Sequence, residues 1–247
     1  MIRLSRGDAP VELDDTHVAK LTAKFMQTGD PVWNSEYIRS GLLAASKNKC
    51  AYCETFLTEE SKYLEVDHFR CKQDFPDLVV LWSNLVPACK RCNVRKSSYN
   101  VDTDGMLINP FDDEPRNHVY LHNYRLKWRD GIGRDTIDTL SLNQSDRLVS
   151  IRMMVGEIVM SSLDLIRQNL EAYELGPQTT RRRNSIVRVI ESLLYQATPN
   201  AEYSATTATI LLHDPDYLWI RTRLVDIGLW NTLNDIENEA RKCDLSI

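Results

Sequence analysis

The chain has 247 residues, enough for one large domain or two smaller ones with separate cores. At 43% hydrophobic and 26% charged it has the balance of a globular protein, which excludes fibrous and disordered classes. A formal net charge of −5 excludes nucleic-acid binding over the whole surface. It leaves room for a local basic patch, because salt screens fields beyond roughly 10 Å.

No apolar run is long enough to span a bilayer, and the opening MIRLSRGDAP lacks the apolar stretch of a signal peptide. A cytoplasmic protein without membrane contact is expected. Residues 11 to 47 read as two short helices, with Val18, Leu21 and Phe25, then Trp33, Tyr37, Ile38, Leu42 and Leu43, at helical spacing. Gly29-Asp30-Pro31 separates them. The next stretch has little helical periodicity. Lys62 to Asp67 reads as a strand, Cys92 to Ser97 as the start of a short helix, and Leu107–Pro110 and Val119–Asn123 as strands or extended loops. Charges crowd Asp102–Arg116 and Arg125–Arg134, which predicts surface loop.

From Leu142 onward the pattern is helical. Asn143 and Asp146 suggest a capping box. Leu148, Ile151, Val155, Ile158, Ser162, Ile166, Leu170 and Tyr173 form a predicted core stripe, ended by Gly176-Pro177. A second helix carries Ile186, Ile190, Leu193 and Leu194 and stops at Thr198-Pro199. Asp214-Pro215 opens a third, with the acid as N-cap and proline at the first helical position; Gly228 ends it, and a short terminal helix follows.

Six cysteines include two Cys-x-x-Cys pairs, Cys50/Cys53 and Cys89/Cys92. In a chain without an export signal, metal is a better reading than disulfides. Two such turns complete a tetrahedral Zn²⁺ site with Zn–S of about 2.3 Å, although the intervening loop of about 35 residues exceeds a usual zinc ribbon. Four thiolates close the coordination sphere, so that zinc is structural and chemistry must come from elsewhere.

Between and just after the pairs lie Asp67-His68, Asn84 and Asn93. A phosphodiesterase needs a base, a cation for the phosphoryl charge, and groups that fix the base. His68 suits the first task. Asp67 and Asn93 offer hard oxygen ligands for Mg²⁺ or Mn²⁺. Asn84 can hold the imidazole directly or through the backbone. Lys96, one turn after Asn93, can reach a phosphate. Lys90, Arg91, Arg95 and Lys96 have no acid between Asp77 and Asp102 and read as a phosphate-contacting edge, with Arg70 and Lys72 nearby.

Cys-x-x-Cys, Val66-Asp-His-Phe69, Trp82-Ser-Asn-Leu85 and Cys89-x-x-Cys92-Asn93-x-x-Lys96 together resemble the HNH, or ββα-metal, nuclease signature, with Asn in place of the final His. The resemblance implies a β-hairpin, loop and helix around one divalent cation. It makes His68 the general base, Asp67 and Asn93 the metal ligands and Asn84 the residue that orients His68. The implied products carry 5′-phosphate and 3′-hydroxyl ends.

Lys49–Glu54, Asp67–Lys72, Leu107–Pro110 with Asp113-x-Pro115-x-x-His118, and Leu140–Asn143 before a long helix are similar to the HNH subunit of Septu anti-phage systems, found also beside some retrons. That resemblance implies phage DNA as substrate and an SMC/ABC-like ATPase as partner in a hetero-oligomer. A retron RNA–DNA complex would be a further partner. The chain departs from the pattern at Cys71, where proline is expected; a core cysteine is the plain reading there. His118 and His122 read as structural or surface residues, and Arg181–Arg183 as a solvated helix start or a contact to DNA or a partner.

The expected architecture is α+β: a ββα-metal core with a four-cysteine zinc knuckle pair, flanked by N-terminal helices and a mainly helical C-terminal region. Residues 1–47 would pack on the core, 48–135 form the nuclease domain, and 136–247 serve partner binding or substrate positioning. The competing readings are a zinc-stabilised nucleic-acid-binding module without catalysis, and a stand-alone restriction or homing endonuclease.

Overall fold

A computed structural model describes residues 1–58 and 63–247. The chain divides into two compact units. The first comprises Met1, Arg3–Val119 and Lys127–Asn143; the second comprises Ile2, Tyr120–Leu126 and Gln144–Ile247.

In the first unit, helix α1 spans Asp15–Thr28. It starts where the Asp14 carboxylate accepts a hydrogen bond from the His17 amide at 2.7 Å. It stops at Gly29, whose φ of 73° is open to glycine at no steric cost and turns its N–H back to the Phe25 carbonyl. Helix α2 spans Glu36–Ala45 and buries Ile38 and Leu42. They join Leu13, Val66, Val79, Val80, Trp82 and Leu85 in one apolar cluster, with Val18, Leu21, Phe25 and Trp33 packed on it. Each large aliphatic buried there contributes about 1.5–3 kcal/mol. The N-terminal helices therefore brace the elements that follow.

Strand β1, Leu64–His68, pairs antiparallel with β2, Leu85–Cys89, in a register running from Leu64 opposite Cys89 to His68 opposite Leu85. The expected strand start at Lys62 lies outside the described residues. Helix α3, Lys90–Lys96, follows β2 directly and completes a ββα unit. Strand alternation turns Leu64 and Val66 to one side and Glu65 and Asp67 to the other.

Leu107–Asn109 has no regular secondary structure and Pro110 begins a turn, so this segment is not a strand. Strands β3, Val119–His122, and β4, Arg125–Trp128, form a second two-stranded sheet, and helix α4 spans Gly131–Thr139. The surface loop expected over Arg125–Arg134 is thus a strand and a helix. The charges lie outside while Leu126 and Ile137 are buried, and the Asp130 carboxylate caps α4 by accepting from the Gly133 amide at 2.8 Å.

The second unit is helical. A π-helical turn over Ser145–Val149 leads into α5, Ser150–Leu175. The expected Asn143/Asp146 box does not start it: the residue before the turn is Gln144, extended and without a side-chain cap bond. The buried face of α5 carries Arg152, Gly156, Val159, Leu163, Ile166, Leu170 and Tyr173. The predicted stripe matches it at Ile166, Leu170 and Tyr173 but is out of phase over residues 151–162, where Ile158 is exposed and its neighbour Val159 is core. Helix α6, Thr180–Gln196, buries Ile186, Ile190, Leu193 and Leu194 as expected. Helix α7, Ser204–His213, has no signal in the sequence; nearly all its residues are buried, so it lacks the polar face that makes a stripe visible.

The Asp214 carboxylate opens α8, Pro215–Asp226, by accepting from the Asp216 amide at 2.8 Å. Helix α9 spans Asn234–Arg241. Helix α5 packs on α6, α7 and α8, and α9 packs on α6 and α7. Within this unit the buried Glu237 carboxylate accepts from Arg221 Nε at 2.9 Å, Arg241 Nη2 at 2.5 Å and Trp230 Nε1 at 3.0 Å. Among the described residues no helix is long and apolar enough to cross a membrane.

Candidate functional site

The ββα unit brings the two cysteine pairs together. The Cys50–Cys53 turn is tied to β2 by the Ala51 amide, which donates to the Pro87 carbonyl at 2.9 Å. Cys89 ends β2 and Cys92 sits on the first turn of α3. The four sulfurs lie within 4.8 Å of one another, and Cys53 Sγ is 3.7 Å from Cys89 Sγ. Four thiolates at about 2.3 Å from a central Zn²⁺ form a tetrahedron with edges of about 3.8 Å, so donor set and spacing fit a structural zinc. Burial pushes the Cys50 thiol up, and the neighbouring thiols push Cys92 up and Cys89 down. Crowded sulfurs cannot all ionise without a cation among them.

One strand further, Asp67, His68 and Asn93 line a single cleft of about 240 Å³, together with Cys71, Lys72, Gln73 and residues that follow α3. The imidazole of His68 is fixed from behind. Its Nε2 lies 2.9 Å from the Val79 carbonyl, which can only accept, so Nε2 carries the proton and Nδ1 keeps its lone pair. The Trp33 ring stands edge-on against it, with centroids 4.7 Å apart. Burial, reinforced by the nearby Lys72 and Lys96 charges, pulls His68 down to about 4, so the ring is neutral at physiological pH.

Asn84 does not touch the imidazole. Its side-chain oxygen accepts from the Arg70 amide at 2.8 Å, its Nδ2 donates to the Arg70 and Leu78 carbonyls, and its own carbonyl accepts from the Phe69 amide. It ties the chain after His68 to the segment that delivers the Val79 carbonyl. Its bonds are to the backbone of residues next to His68 and Val79.

Asp67 is buried beneath the cleft. One carboxylate oxygen accepts from Tyr52 Oη at 2.6 Å, the other from Lys96 Nζ at 3.3 Å. Burial pushes this carboxyl up, with Lys96 and Tyr52 offsetting part of the effect. Asn93 donates from Nδ2 to Glu65 Oε2 at 2.6 Å. A carboxylate accepts only, so this bond settles which end of the amide is which and leaves the Asn93 carbonyl oxygen as the free donor atom. Asp67 and Asn93 thus present two hard oxygens to one cleft, a set that fits Mg²⁺ or Mn²⁺ rather than zinc.

The basic residues separate. Lys90, Arg95 and Lys72 are exposed, with Lys72 over the Trp33 ring. Arg91 is half-buried and donates to the Ser141 carbonyl at 2.5 Å. Arg70 pairs with Asp102 at 2.8 Å. Lys96 is 1% exposed, and its ammonium lies on the His68 carbonyl at 2.6 Å and on Asp67, away from any surface edge. Cys71 is buried, its thiol 3.2 Å from Asp74. His118 contacts the Asp130 carboxylate that caps α4, at 2.7 Å. His122 lies on β3, on the exposed side.

Sequence reasoning missed Tyr52 as a polar partner of Asp67, Glu65 as the partner of Asn93, and Val79 as the acceptor for His68. Glu65 alone carried a signal, since it stands two residues before Asp67 on the same strand face.

The HNH endonuclease family pattern matches residues 50–98, the segment from the first cysteine to just beyond α3. The chain is 42% identical over 233 residues to the Septu protein PtuB of Bacillus thuringiensis, an alignment that covers 94% of this chain and 90% of that protein. It is 23% identical over 301 aligned positions to the Septu protein PtuB of Bacillus mycoides (strain KBAB4), covering 100% and 99% of the two chains. No solved structure matches.

Proposed function

The chain belongs to the Septu PtuB family and carries its HNH endonuclease segment, and on that premise we propose that it is the DNA-cutting subunit of an anti-phage defence system. It hydrolyses phosphodiester bonds in the cytoplasm and acts with an SMC/ABC-like ATPase, with the helical C-terminal region as the partner-binding or substrate-positioning part. The observation that carries the reading is that Asp67, His68 and Asn93 face one cleft while the Nε2 of His68 is already committed to the Val79 carbonyl.

His68 acts as the base through Nδ1. It takes a proton from a water that attacks phosphorus, and the P–O3′ bond breaks; the departing 3′-oxygen takes a proton from solvent, leaving 5′-phosphate and 3′-hydroxyl ends. Asp67 and Asn93 would hold a Mg²⁺ or Mn²⁺ ion, which would supply Lewis-acid charge neutralisation to the reaction. Glu65 keeps the Asn93 carbonyl turned to the cleft. Tyr52 and Lys96 fix the Asp67 carboxylate, and Lys96 also anchors the backbone at His68. Neutral imidazole is the form that accepts the proton, and burial secures it. The exposed Lys72, Lys90 and Arg95 contact the phosphate backbone, which makes binding salt-dependent and indifferent to sequence.

Plasmid cleavage with and without Mg²⁺ or Mn²⁺, run beside His68→Ala, tests the reading. Cutting that needs the ion and disappears in the variant, at unchanged zinc content and melting, is expected. A variant that cuts as well as the parent would remove His68 as the base, and a parent that binds DNA but cuts with neither ion would leave a zinc-stabilised binding module instead. Efficient cutting of phage DNA by the chain alone would remove the need for an ATPase.

A further inference from the structure

Helix α5 carries two apolar stripes on opposite faces. With Ile151 as position a of a heptad, its buried residues Arg152, Gly156, Val159, Leu163, Ile166, Leu170 and Tyr173 all fall at b and f. Positions a and d run Ile151, Met154, Ile158, Ser161, Leu165, Gln168, Ala172 and Leu175 in unbroken three–four spacing over the whole helix. That seam faces solvent: Met154 is 64% exposed, Ile158 62%, Leu165 52% and Leu175 92%. Met153 and Met160 widen it. Six of these eight positions are apolar, with Ser161 and Gln168 interrupting the d row, and an apolar strip of that kind along a helix of 26 residues, roughly 39 Å, exceeds what scattered surface side chains explain.

The charges beside the seam have one sign. The three g positions are Glu157, Asp164 and Glu171, all exposed, while the e positions Val155, Ser162 and Asn169 are uncharged. A base on α5 offsets Glu171 but not Glu157 or Asp164. Arg152 is buried, and Arg167, at a c position, pairs with Glu171 and Asp216. Two copies of α5 packed antiparallel would set acid against acid. Packed parallel, they would set the acids against uncharged residues. Neither arrangement supplies counter-charge, whereas a helix with bases beside its own apolar seam does so at every heptad.

We infer that the outer face of α5 is the docking surface for an amphipathic helix of a different protein, one whose apolar seam is flanked by lysine or arginine. The inference does not depend on the nuclease reading, because no residue of the seam lines the cleft. The apolar positions supply contact area, and the g acids select the sign of the partner and its direction along α5.

The probe is a labelled synthetic helix, roughly four heptads long with Ile and Leu at a and d and Lys at e and g, titrated against the full chain by fluorescence anisotropy. A second peptide carries Glu in place of each Lys. The Lys peptide should bind at least ~10-fold more tightly than the Glu peptide, and the Ile158→Glu/Leu165→Glu chain should lose at least ~10-fold of that affinity. That double variant also makes the face more acidic, so attraction by field alone would strengthen rather than weaken its binding. Both positions are exposed, and the parent's melting curve and zinc content should persist. Failure of the Lys peptide to bind, equal binding of the two peptides, or undiminished binding to the double variant would overturn the inference. So would a stable dimer of the chain alone in sedimentation that the double variant dissolves, since a second copy would then occupy the face.

Discussion

Asp67 and Glu237 are both buried carboxylates beside cations, and they are treated in opposite ways. Glu237 collects hydrogen bonds from Arg221, Arg241 and Trp230 at 2.5–3.1 Å. Burial works against its ionisation, but those donors outweigh it and hold the carboxyl below the usual range. Asp67 has one tyrosine hydroxyl and one lysine at 3.3 Å, and burial wins: its carboxyl is pushed up. Donor number and distance decide the difference. Glu237 is a saturated tie among helices. Asp67 is an anion short of compensation, the state in which a further cation gains most. The same contrast runs through their surroundings, since one region gathers thiolates and hard oxygens where the other relies on apolar helix faces.

The severest way to sharpen this contrast is Cys50→Ser. Structural zinc supplies about 10–16 kcal/mol in small zinc-bound peptides, so the first unit should lose its metal and its cooperative melting together. Metal analysis and far-UV circular dichroism should find zinc gone but the helices of the second unit retained; loss of both halves at once would erase the distinction. Next in size is His68→Ala, expected to lower cleavage by about 10²–10⁴-fold while zinc content stays unchanged.

Glu65→Ala frees the Asn93 amide to turn. It should raise the Mg²⁺ or Mn²⁺ concentration for half-maximal cleavage by about 10–100-fold, with Glu65→Gln milder because it keeps an acceptor. An unaltered metal requirement would detach Asn93 from the ion. The smallest effect belongs to Glu237→Gln, at about 1–3 kcal/mol of stability at neutral pH. The folded carboxyl lies below its unfolded value, so its contribution is complete above the unfolded pKa of about 4.3 and fades as pH falls through the folded one. Parent and variant melting temperatures should therefore converge in acid, and a gap that persists there would place the loss in packing instead.

Local spacing carried the legible part of this molecule. Two Cys-x-x-Cys turns could be read because a tetrahedral metal site demands those residues at those intervals, and the structure gathers the four sulfurs accordingly; Asp67, His68 and Asn93, singled out by the same kind of spacing, line one cleft. Helices α6 and α8 were legible because one face is apolar and the caps are conventional. What escaped depends on tertiary neighbours. Glu65, Tyr52 and the Val79 carbonyl become partners only after β1, the knuckle and the 69–84 segment are assembled. Periodicity places Lys96 one turn from Asn93 and reads it as a surface base, yet α3 turns it inward onto Asp67. Helix α7 is small-residue core with no polar side to betray it. In α5, two stripes at nearly the same period drew the predicted core stripe from one to the other, so that it follows the exposed seam at Ile158 and the buried face from Ile166.

The edge-on stacking of Trp33 against His68 makes the imidazole optically visible. Protonated imidazole quenches indole emission far more strongly than the neutral ring, so acid titration of the parent, less that of Trp33→Phe, isolates one chromophore of five. Light from that indole reports the charge on His68 in the resting protein, before any DNA arrives.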